Sequence, residues 1–326
     1  MNGAYCKMEC ALVLIVWQEH HDSCEIHTGP AIWRMTFSAN GEYLVSSHSQ
    51  EVRVWRVEDG KEMARLEAKS VCCLAVSKDG HWIAGGIFWG DVIVWDANTY
   101  KQKCWWKTAE RVEGLDFSPD ATRLISTSYY EATIWDLVTG NEVRKLVHEQ
   151  LICTGKYSPE GDRIATVTWD HVRVWDSEDG RLLHKIKVTE CHQVGLVWGS
   201  SNDLIVVSMR KVWKIKGTTI SEWSIPEISD NIAVQSRGDF LASTTSRTVR
   251  FWAISTQIQL PLIQHSQHIQ SITLSPDGQF IAIAGMDQNV TIKRLSHISV
   301  SIVPSCISTS LLCSCFCLRV AFYLCH

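Results

Sequence analysis

Residues 92–96 read Val-Ile-Val-Trp-Asp, a short alternating run that ends at a tryptophan and an aspartate. Comparable runs end at Trp55, Trp135 and Trp175, so four tryptophans follow one another at intervals of 40 residues. The series continues at nearly the same spacing, and its last position holds a lysine. The seven marker positions are Trp55, Trp95, Trp135, Trp175, Trp213, Trp252 and Lys293. A period of this length, with a strand-like run closing each unit, indicates a repeat architecture.

Each repeat shows the same order of strand and turn signals. An apolar first strand leads into a turn such as Ser275-Pro276-Asp277-Gly278, and a second strand, the marker-ended third strand and a fourth strand follow. Proline presets the second position of a type I turn, and glycine accepts the left-handed backbone after it. Four antiparallel strands per period make one propeller blade. We therefore predict an all-β fold, a seven-bladed β-propeller of four-stranded antiparallel blades.

The tryptophan–aspartate pairs at 95–96, 135–136 and 175–176, together with the Ser-Pro-Asp-Gly turns, resemble the WD40-repeat family over roughly residues 12–295. The resemblance implies a hydrogen-bonded His–Ser/Thr–Asp–Trp network inside the blades. That network is most nearly complete in the fourth repeat, with His148, Thr166 or Thr168, Asp170 and Trp175. Most other repeats lack its Asp or His, and we expect them to be held mainly by apolar packing.

The seventh repeat ends at Leu295 without a recognisable fourth strand. Members of the WD40 family commonly close by letting an N-terminal strand complete the final blade, which removes an open sheet edge. We predict that residues 1–26 do this here, through a strand at about residues 11–17, and that residues 27–296 hold the seven repeats. A competing interpretation is that Trp17, 38 residues before Trp55, marks the remnant of an eighth repeat.

Residues 297–326 break the repeat pattern. They contain one charged residue, Arg319, many serines and five of the 13 cysteines. We expect this tail to be disordered or non-native, for example translated non-coding sequence. The alternatives are a membrane anchor, a palmitoylated tail and a soft-metal site at Cys313, Cys315 and Cys317. Pro304, Arg319 and the serines leave fewer than the roughly 18 apolar residues that a spanning helix needs. No membrane partner is expected unless this tail is an anchor.

The composition, 45% hydrophobic and 20% charged, is that of an ordinary globular protein. A net charge of −4 and a pI near 6.3 lack the basic footprint of nucleic-acid binders, so no nucleic-acid partner is expected. The eight cysteines outside the tail form no C-x-x-C pair. Reduced thiols in a cytoplasmic protein are the favoured interpretation, with a nuclear location as the alternative.

The sequence contains no G-x-S-x-G, no phosphate-binding glycine loop and no H-E-x-x-H motif. We therefore expect no enzymatic activity, no cofactor and no metal. A propeller enzyme, the least favoured alternative, would need carboxylates or histidines clustered around the central channel.

The turn between the second and third strands carries the functional signal. Counting six residues back from the marker gives Trp89, Tyr129 and Trp169 in three consecutive repeats, an aromatic arc on one side of the disc. Counting at the start of the first strand places further residues beside it. Trp, Tyr and Arg are the residues most enriched in binding hot spots. The predicted protein-binding set is Trp33, Trp89, Arg111, Glu113, Tyr129, Tyr130 and Trp169.

The predicted function is a non-enzymatic protein–protein interaction scaffold or ligand-sensing propeller that receives a peptide or protein surface on this side. The alternative is an adaptor subunit of a larger assembly, such as a ubiquitin ligase or a chromatin complex. A structural interpretation also exists, in which the aromatic side chains fold down and seal the tops of the blade cores. The solvent exposure of these side chains distinguishes binding from sealing.

Overall fold

The computed structural model describes residues 11–15, 23–189, 195–199, 201–208, 210–217, 219–225, 231–235, 239–295 and 300–304. These residues contain no helix long and apolar enough to cross a bilayer. Their strands are β1 (Ala11–Ile15), β2 (Ser23–His27), β3 (Arg34–Phe37), β4 (Tyr43–Ser47), β5 (Glu51–Arg56), β6 (Glu62–Glu67), β7 (Val71–Val76), β8 (Trp82–Ile87), β9 (Asp91–Asp96), β10 (Gln102–Lys107), β11 (Gly114–Phe117), β12 (Arg123–Thr127), β13 (Glu131–Asp136), β14 (Glu142–Val147), β15 (Ile152–Tyr157), β16 (Arg163–Thr168), β17 (His171–Asp176), β18 (Leu182–Lys187), β19 (Gly195–Trp198), β20 (Leu204–Val207), β21 (Lys211–Lys216), β22 (Thr219–Ser224), β23 (Asn231–Val234), β24 (Phe240–Thr245), β25 (Thr248–Ala253), β26 (Gln259–Gln264), β27 (Ile269–Leu274), β28 (Phe280–Gly285), β29 (Asn289–Arg294) and β30 (Val300–Pro304).

Within the described residues, seven four-stranded antiparallel sheets form the blades. Blades 1 to 6 each consist of four consecutive strands, starting with β3–β6 and ending with β23–β26. Blade 7 consists of β27, β28 and β29 with β2 at its outer edge. We call the strands of a blade a, b, c and d, from the central channel outward. The seven-bladed, all-β propeller predicted from the repeat is confirmed.

An N-terminal strand completes blade 7, as predicted, but the residue range predicted for that strand, 11–17, is wrong. The closing strand is β2, in which Ile26 lies opposite Val290 of β29. Ile26 is buried in the apolar cluster between blades 7 and 1, with Cys24 packed against it. β2 also ends only a few residues before β3 begins, so the chain passes directly from blade 7 into blade 1. This short connection and the inward alternation of Cys24 and Ile26 favour β2 over residues 11–17.

β1, the segment expected to close the propeller, instead pairs with β30 in a two-stranded antiparallel sheet, with Leu12 opposite Val303. Both strands belong to a compact unit separate from the propeller, which spans residues 19–296. Val300–Pro304 is thus a strand inside the tail expected to lack structure. Trp17 and residues 305–326 lie outside the described residues.

The marker tryptophans fill the interfaces between neighbouring blades. Trp95 of blade 2, for example, packs with Val54 and Leu66 of blade 1. Strand alternation sends side chains to both faces of every sheet, so each blade buries one face against each neighbour. The same arrangement holds for the other marker tryptophans, which occupy the apolar clusters with the preceding blade: Trp55, Trp135, Trp175, Trp213 and Trp252.

Candidate functional site

The a strands surround a central cavity of about 810 Å³. Four residues of the predicted binding set line it, namely Arg111, Glu113, Tyr129 and Trp169. In antiparallel blades, the start of strand a and the b–c turn lie at the same end. The cavity mouth therefore collects residues from separate repeats on one face of the disc.

A second cavity of about 580 Å³ opens beside the first. Trp33, Cys72 and Phe88 line it, and Arg34 and Arg111 line both cavities. The two arginines therefore form the boundary between the aromatic b–c turns and the channel.

The aromatic side chains of this end differ in their solvent exposure. Tyr129 is half-buried, whereas its neighbour Tyr130 is exposed. Counting six residues back from the marker thus identifies Tyr129, which lines the channel. The more exposed tyrosine, Tyr130, is the next residue. We call the exposed aromatic residues of the predicted set the aromatic face; with their exposed fractions they are Trp89 (71%), Tyr130 (50%), Trp169 (50%) and Trp33 (39%).

Arg111 links the acidic and aromatic parts of the site. Its guanidinium lies over the Phe88 ring at 4.7 Å from the ring centroid. Phe88 contacts Trp89 edge-to-face, with 4.9 Å between ring centroids. On its other side, Arg111 Nε lies 3.3 Å from Glu113 Oε1. The arginine is therefore held between a ring and a carboxylate, and both contacts limit its motion.

Positive charges outnumber negative ones at the cavity mouth, where Arg34 and Arg111 lie near Glu113. Burial raises the pKa of Glu113, and the charges of Arg111 and Arg34 oppose that rise. Lys156, deeper in the channel, is paired with Asp116 at 2.7 Å. Arg34 donates to the Trp33 carbonyl at 2.8 Å, and no carboxylate among the described residues forms an ion pair with it. A ligand that brings a negative charge would find Arg34 available.

Phe88, Cys72 and Met286 line the second cavity although they are outside the predicted set. Phe88 stands beside Trp89 in the same turn, and this adjacency is a signal that the sequence does carry. Met286 belongs to the b–c turn of blade 7, where counting back from Lys293 needs a one-residue shift. The count that places Trp33 and Glu113 at the start of strand a also reaches Cys72, although the predicted set does not include it.

The structural network in blade 4 contains three of its four predicted members. His148 Nε2 lies 2.8 Å from Thr166 Oγ1, and Trp175 Nε1 donates to the same oxygen at 2.8 Å. Asp170 forms no hydrogen bond with His148 in the part of the chain that the structure describes; it accepts from Thr168 Oγ1 at 3.3 Å, the other hydroxyl predicted for the network, and from Gln150, and it lies 2.7 Å from His171. These partners hold the carboxylate at the turn, where it is linked to Thr168 and not to His148.

Blade 1 contains an equivalent network that the sequence analysis did not identify. Ser46 Oγ accepts from Trp55 Nε1 at 2.8 Å and lies 2.9 Å from His48 Nε2. Here the histidine comes from the end of the same b strand and its Nδ1 faces the Pro30 carbonyl. The sequence does carry a signal for this network, a hydroxyl residue nine positions before the marker tryptophan. The same spacing is found in blade 3, where Trp135 Nε1 donates to Ser126 Oγ.

Among the described residues, no group of three or more His, Cys, Asp and Glu side chains is arranged to hold a metal ion. The charged groups at the channel are mainly taken up in ion pairs, as in Arg111–Glu113 and Lys156–Asp116. Aromatic surface next to fixed and available arginines is suited to binding a partner with apolar and anionic groups.

Residues 31–294 match the protein family described as the IFT122 first beta-propeller. The human Serine-threonine kinase receptor-associated protein is 23% identical over 279 residues, which cover 81% of this chain and 67% of that protein. The human Angio-associated migratory cell protein is 29% identical over 154 residues, 46% of this chain. That alignment spans only 35% of the relative.

Among solved structures, the WD40 repeats of RRP9 superpose with a TM-score of 0.73 at 16% identity, covering 87% of this chain and all of that chain. At this identity the likeness shows the fold alone.

Proposed function

Because this chain belongs to the family of the IFT122 first beta-propeller and is a WD40-repeat propeller, we propose that it is a non-enzymatic protein-interaction scaffold. Its partner, a peptide or a protein surface, binds across the aromatic face at the b–c end of the disc. Fold alone does not assign a function, so the proposal depends on this site.

The observation that carries the proposal is the exposure of Trp89, Trp169 and Tyr130, each at least half accessible to solvent. A side chain that seals a blade core is covered by its neighbours, as the marker Trp95 is at 3% exposure. Three large aromatic side chains on consecutive blades leave an apolar surface that water covers poorly. Such surfaces on folded proteins usually mark interaction sites.

The geometry also lowers the entropic cost of binding. Trp and Tyr side chains have few rotatable bonds, and Arg111 is already held by Phe88 and Glu113. Since ordering flexible side chains opposes association, a preorganised face retains more of its contact energy as affinity. Arg34, which has no carboxylate partner among the described residues, supports an anionic group on the partner.

The second candidate is an adaptor subunit of a larger assembly. The relative that aligns with 81% of this chain is named for its association with a receptor. An adaptor of this kind needs at least two binding surfaces. The exposed Trp105 on the outer strand of blade 2 is a candidate for the second one.

The test is affinity capture from native extract with three forms of the full chain. We expect wild-type protein and Trp105→Ala to retain a common partner, whereas Trp89→Ala with Tyr130→Ala loses it. Trp105 is the control because it is an exposed tryptophan on another surface, 54% accessible against 71% for Trp89 and 50% for Tyr130. Thermal unfolding should be nearly the same for all three forms.

Two outcomes would count against the scaffold. Capture that is unchanged in the double variant would exclude the aromatic face as the binding surface. A large drop in unfolding temperature for the double variant would instead favour the sealing role. Loss of one partner by the double variant and of a different partner by Trp105→Ala would favour the adaptor.

A further inference from the structure

Blades 1 and 4 carry a pair of cations at the same place on their outer strands. Arg53 and Arg173 each stand two residues before the marker tryptophan, on strand c. In blade 1, Arg65 of strand d lies opposite Arg53. In blade 4, Lys185 of strand d lies opposite Arg173. Residues that lie directly opposite each other in an antiparallel pair share one face of the sheet, so the two pairs of cations can be compared position by position.

In blade 1, carboxylates of the same sheet bind these cations. Glu51 Oε1 accepts from Arg53 Nε at 2.7 Å, and Glu62 Oε1 accepts from Arg65 Nε at 2.5 Å. Glu62 Oε2 also lies 3.5 Å from Arg53 Nη1, which donates to the Thr28 carbonyl at 2.8 Å. The Arg53 side chain is only 9% exposed, and its buried guanidinium therefore has both carboxylate and carbonyl partners.

Blade 4 lacks these carboxylates. The strand pairing has the same register in both blades, so each acidic position of blade 1 has a counterpart in blade 4. The corresponding residues are His171 for Glu51, Leu182 for Glu62 and Lys187 for Glu67. These positions thus hold two cations and three carboxylates in blade 1, but three cations and no carboxylate in blade 4.

The guanidinium of Arg173 is buried without the partners that Arg53 has. Its side chain is 5% exposed, and Nη1 has no hydrogen-bond partner among the described residues. The carboxylate of Glu149 is nearby, with Oε2 3.7 Å from Arg173 Nη2 and 3.8 Å from Lys185 Nζ. Both distances exceed those of charge-assisted hydrogen bonds, and Glu149 is 84% exposed. Since buried charges are normally paired and hydrogen-bonded, Arg173 lacks the close anion that its burial requires.

The two cations of blade 4 lie at an opening toward solvent. Trp175, on the same face of strand c as Arg173, packs with Ile134 and Leu146 of blade 3, so this face is directed toward blade 3. Lys185 is 40% exposed, and the exposed carboxylate of Glu149 stands between the two cations and solvent. A planar guanidinium fork and a lysine ammonium from adjacent strands are the donors that phosphate groups bind in proteins.

We propose that Arg173 and Lys185 form a binding site for a phosphate group on the face of blade 4 that is directed toward blade 3. The phosphate oxygens lie between the two cations and accept from the guanidinium. A phosphate group carries close to two negative charges at neutral pH, so it compensates both cations together. The site uses no residue of the aromatic face and goes beyond the proposed scaffold function.

Leu182 allows the site to be filled from within the chain. Leu182→Glu gives blade 4 the carboxylate that Glu62 provides in blade 1, and Leu182→Gln gives a similar shape without the charge. Leu182 is 42% exposed, so both variants are expected to fold. In chloride buffer, Leu182→Glu should be the more stable of the two, because its carboxylate pairs with Arg173.

The experiment follows thermal unfolding of the full chain while inorganic phosphate replaces sodium chloride at constant ionic strength. A ligand that binds the native state raises the unfolding temperature as its concentration increases. Phosphate also stabilises proteins in general by exclusion from their surface, and that effect is common to all variants. We expect wild-type protein and Leu182→Gln to show an additional rise. Leu182→Glu should need about tenfold more phosphate for the same rise, since its carboxylate competes for the cations.

Two further variants test the site from other positions. Lys185→Gln removes a partly exposed cation and should weaken phosphate binding about three- to tenfold. Glu149→Gln removes the competing carboxylate and should strengthen binding by about threefold. Equal phosphate responses in Leu182→Glu and Leu182→Gln would overturn the proposal, and so would a Lys185→Gln response equal to that of wild-type protein.

A second ligand distinguishes the sources of the phosphate group. N-acetyl-O-phosphoserine amide is titrated in the same way as inorganic phosphate. A response to both ligands that Leu182→Glu suppresses would show that the site accepts a phosphate group carried on a larger molecule. A response to inorganic phosphate alone would restrict the site to the free ion. If Leu182→Glu suppresses neither response, the phosphate site does not exist.

Discussion

The imidazole Nε2 of His148 lies 2.8 Å from the hydroxyl oxygen of Thr166, and both residues are buried. Trp175 Nε1 donates to the same oxygen at 2.8 Å. His148 Nδ1 faces the Leu146 carbonyl at 3.0 Å, so Nδ1 carries the proton and Nε2 accepts from the hydroxyl. Each donor of this hydrogen-bond network thus has an acceptor, and the network requires a neutral histidine.

Replacing Thr166 with valine should lower the free energy of unfolding by about 2–4 kcal/mol. The variant leaves Trp175 Nε1 and His148 Nε2 buried without partners, and each such group costs roughly 1–3 kcal/mol. Denaturant unfolding measures the change. Thr219→Val is the control, because Thr219 is exposed on strand d of blade 5. Equal stability of the two variants would show that the network contributes nothing.

Stability should fall as the pH drops from 6.5 toward 4. Burial lowers the pKa of His148 to about 4, from an ordinary histidine value of 6.5. In this window the unfolded chain binds a proton that the native chain does not, so the free energy of unfolding decreases with falling pH. The limiting loss is roughly 3 kcal/mol. Burial also lowers the pKa of His48, which acts in the same direction.

The measurement is denaturant unfolding at several pH values between 7 and 4.5 for wild-type protein and His148→Gln. Glutamine does not titrate, so the variant should show a smaller pH dependence over this window. Asp96, Asp136 and Asp176 have lowered pKa values and release their contribution only at more acidic pH. Parallel curves for the two proteins would refute the assignment.

Gly86→Ala should destabilise blade 2 by about 1–3 kcal/mol, the usual cost of overpacking a core. The added methyl group would collide with Cys73 Sγ and Val112. Cys73→Ala in the same chain removes the sulfur and should restore part of the loss. Thermal or denaturant unfolding of the single and double variants checks this. A double variant no more stable than the sum of the two single changes predicts would mean that the clash lies elsewhere.

Ile26→Ala should cost about 2–4 kcal/mol, because Ile26 is 3% exposed and fills the interface between blades 7 and 1. Ile220→Ala is the matched control. It also lies on strand d of a blade but is 45% exposed, so its replacement should cost less than about 0.5 kcal/mol. Denaturant unfolding of the two variants measures the difference in the free energy of unfolding. A neutral Ile26→Ala would imply that β2 does not hold the propeller closed.

Much of the proposed binding face could be predicted because its residues recur with the repeat. Trp89 and Trp169 occupy the same place in their blades, so counting from the marker identifies both. The partners of a turn residue are harder to predict. Asp170 has the residue type and position expected of the network, yet its carboxylate binds Thr168, Gln150 and His171, and no hydrogen bond joins it to His148 in the described residues. Which of several nearby polar groups binds a carboxylate depends on side-chain directions that spacing does not specify.

The sequence by itself determined the blades, because strand alternation, turn chemistry and a buried marker tryptophan act within one repeat of about 40 residues. Only the tertiary structure decided how the ring closes. The sequence pattern predicted residues 11–17 as the closing strand, whereas β2 closes the ring through contacts such as His27 with Asn289, 262 residues away. The tertiary structure likewise placed Cys72 beside Arg34 and Arg111, since a bulge and the space at Gly86 direct the sulfur into the cavity. Short-range pattern specifies the repeating unit, whereas long-range packing selects among segments that locally look alike.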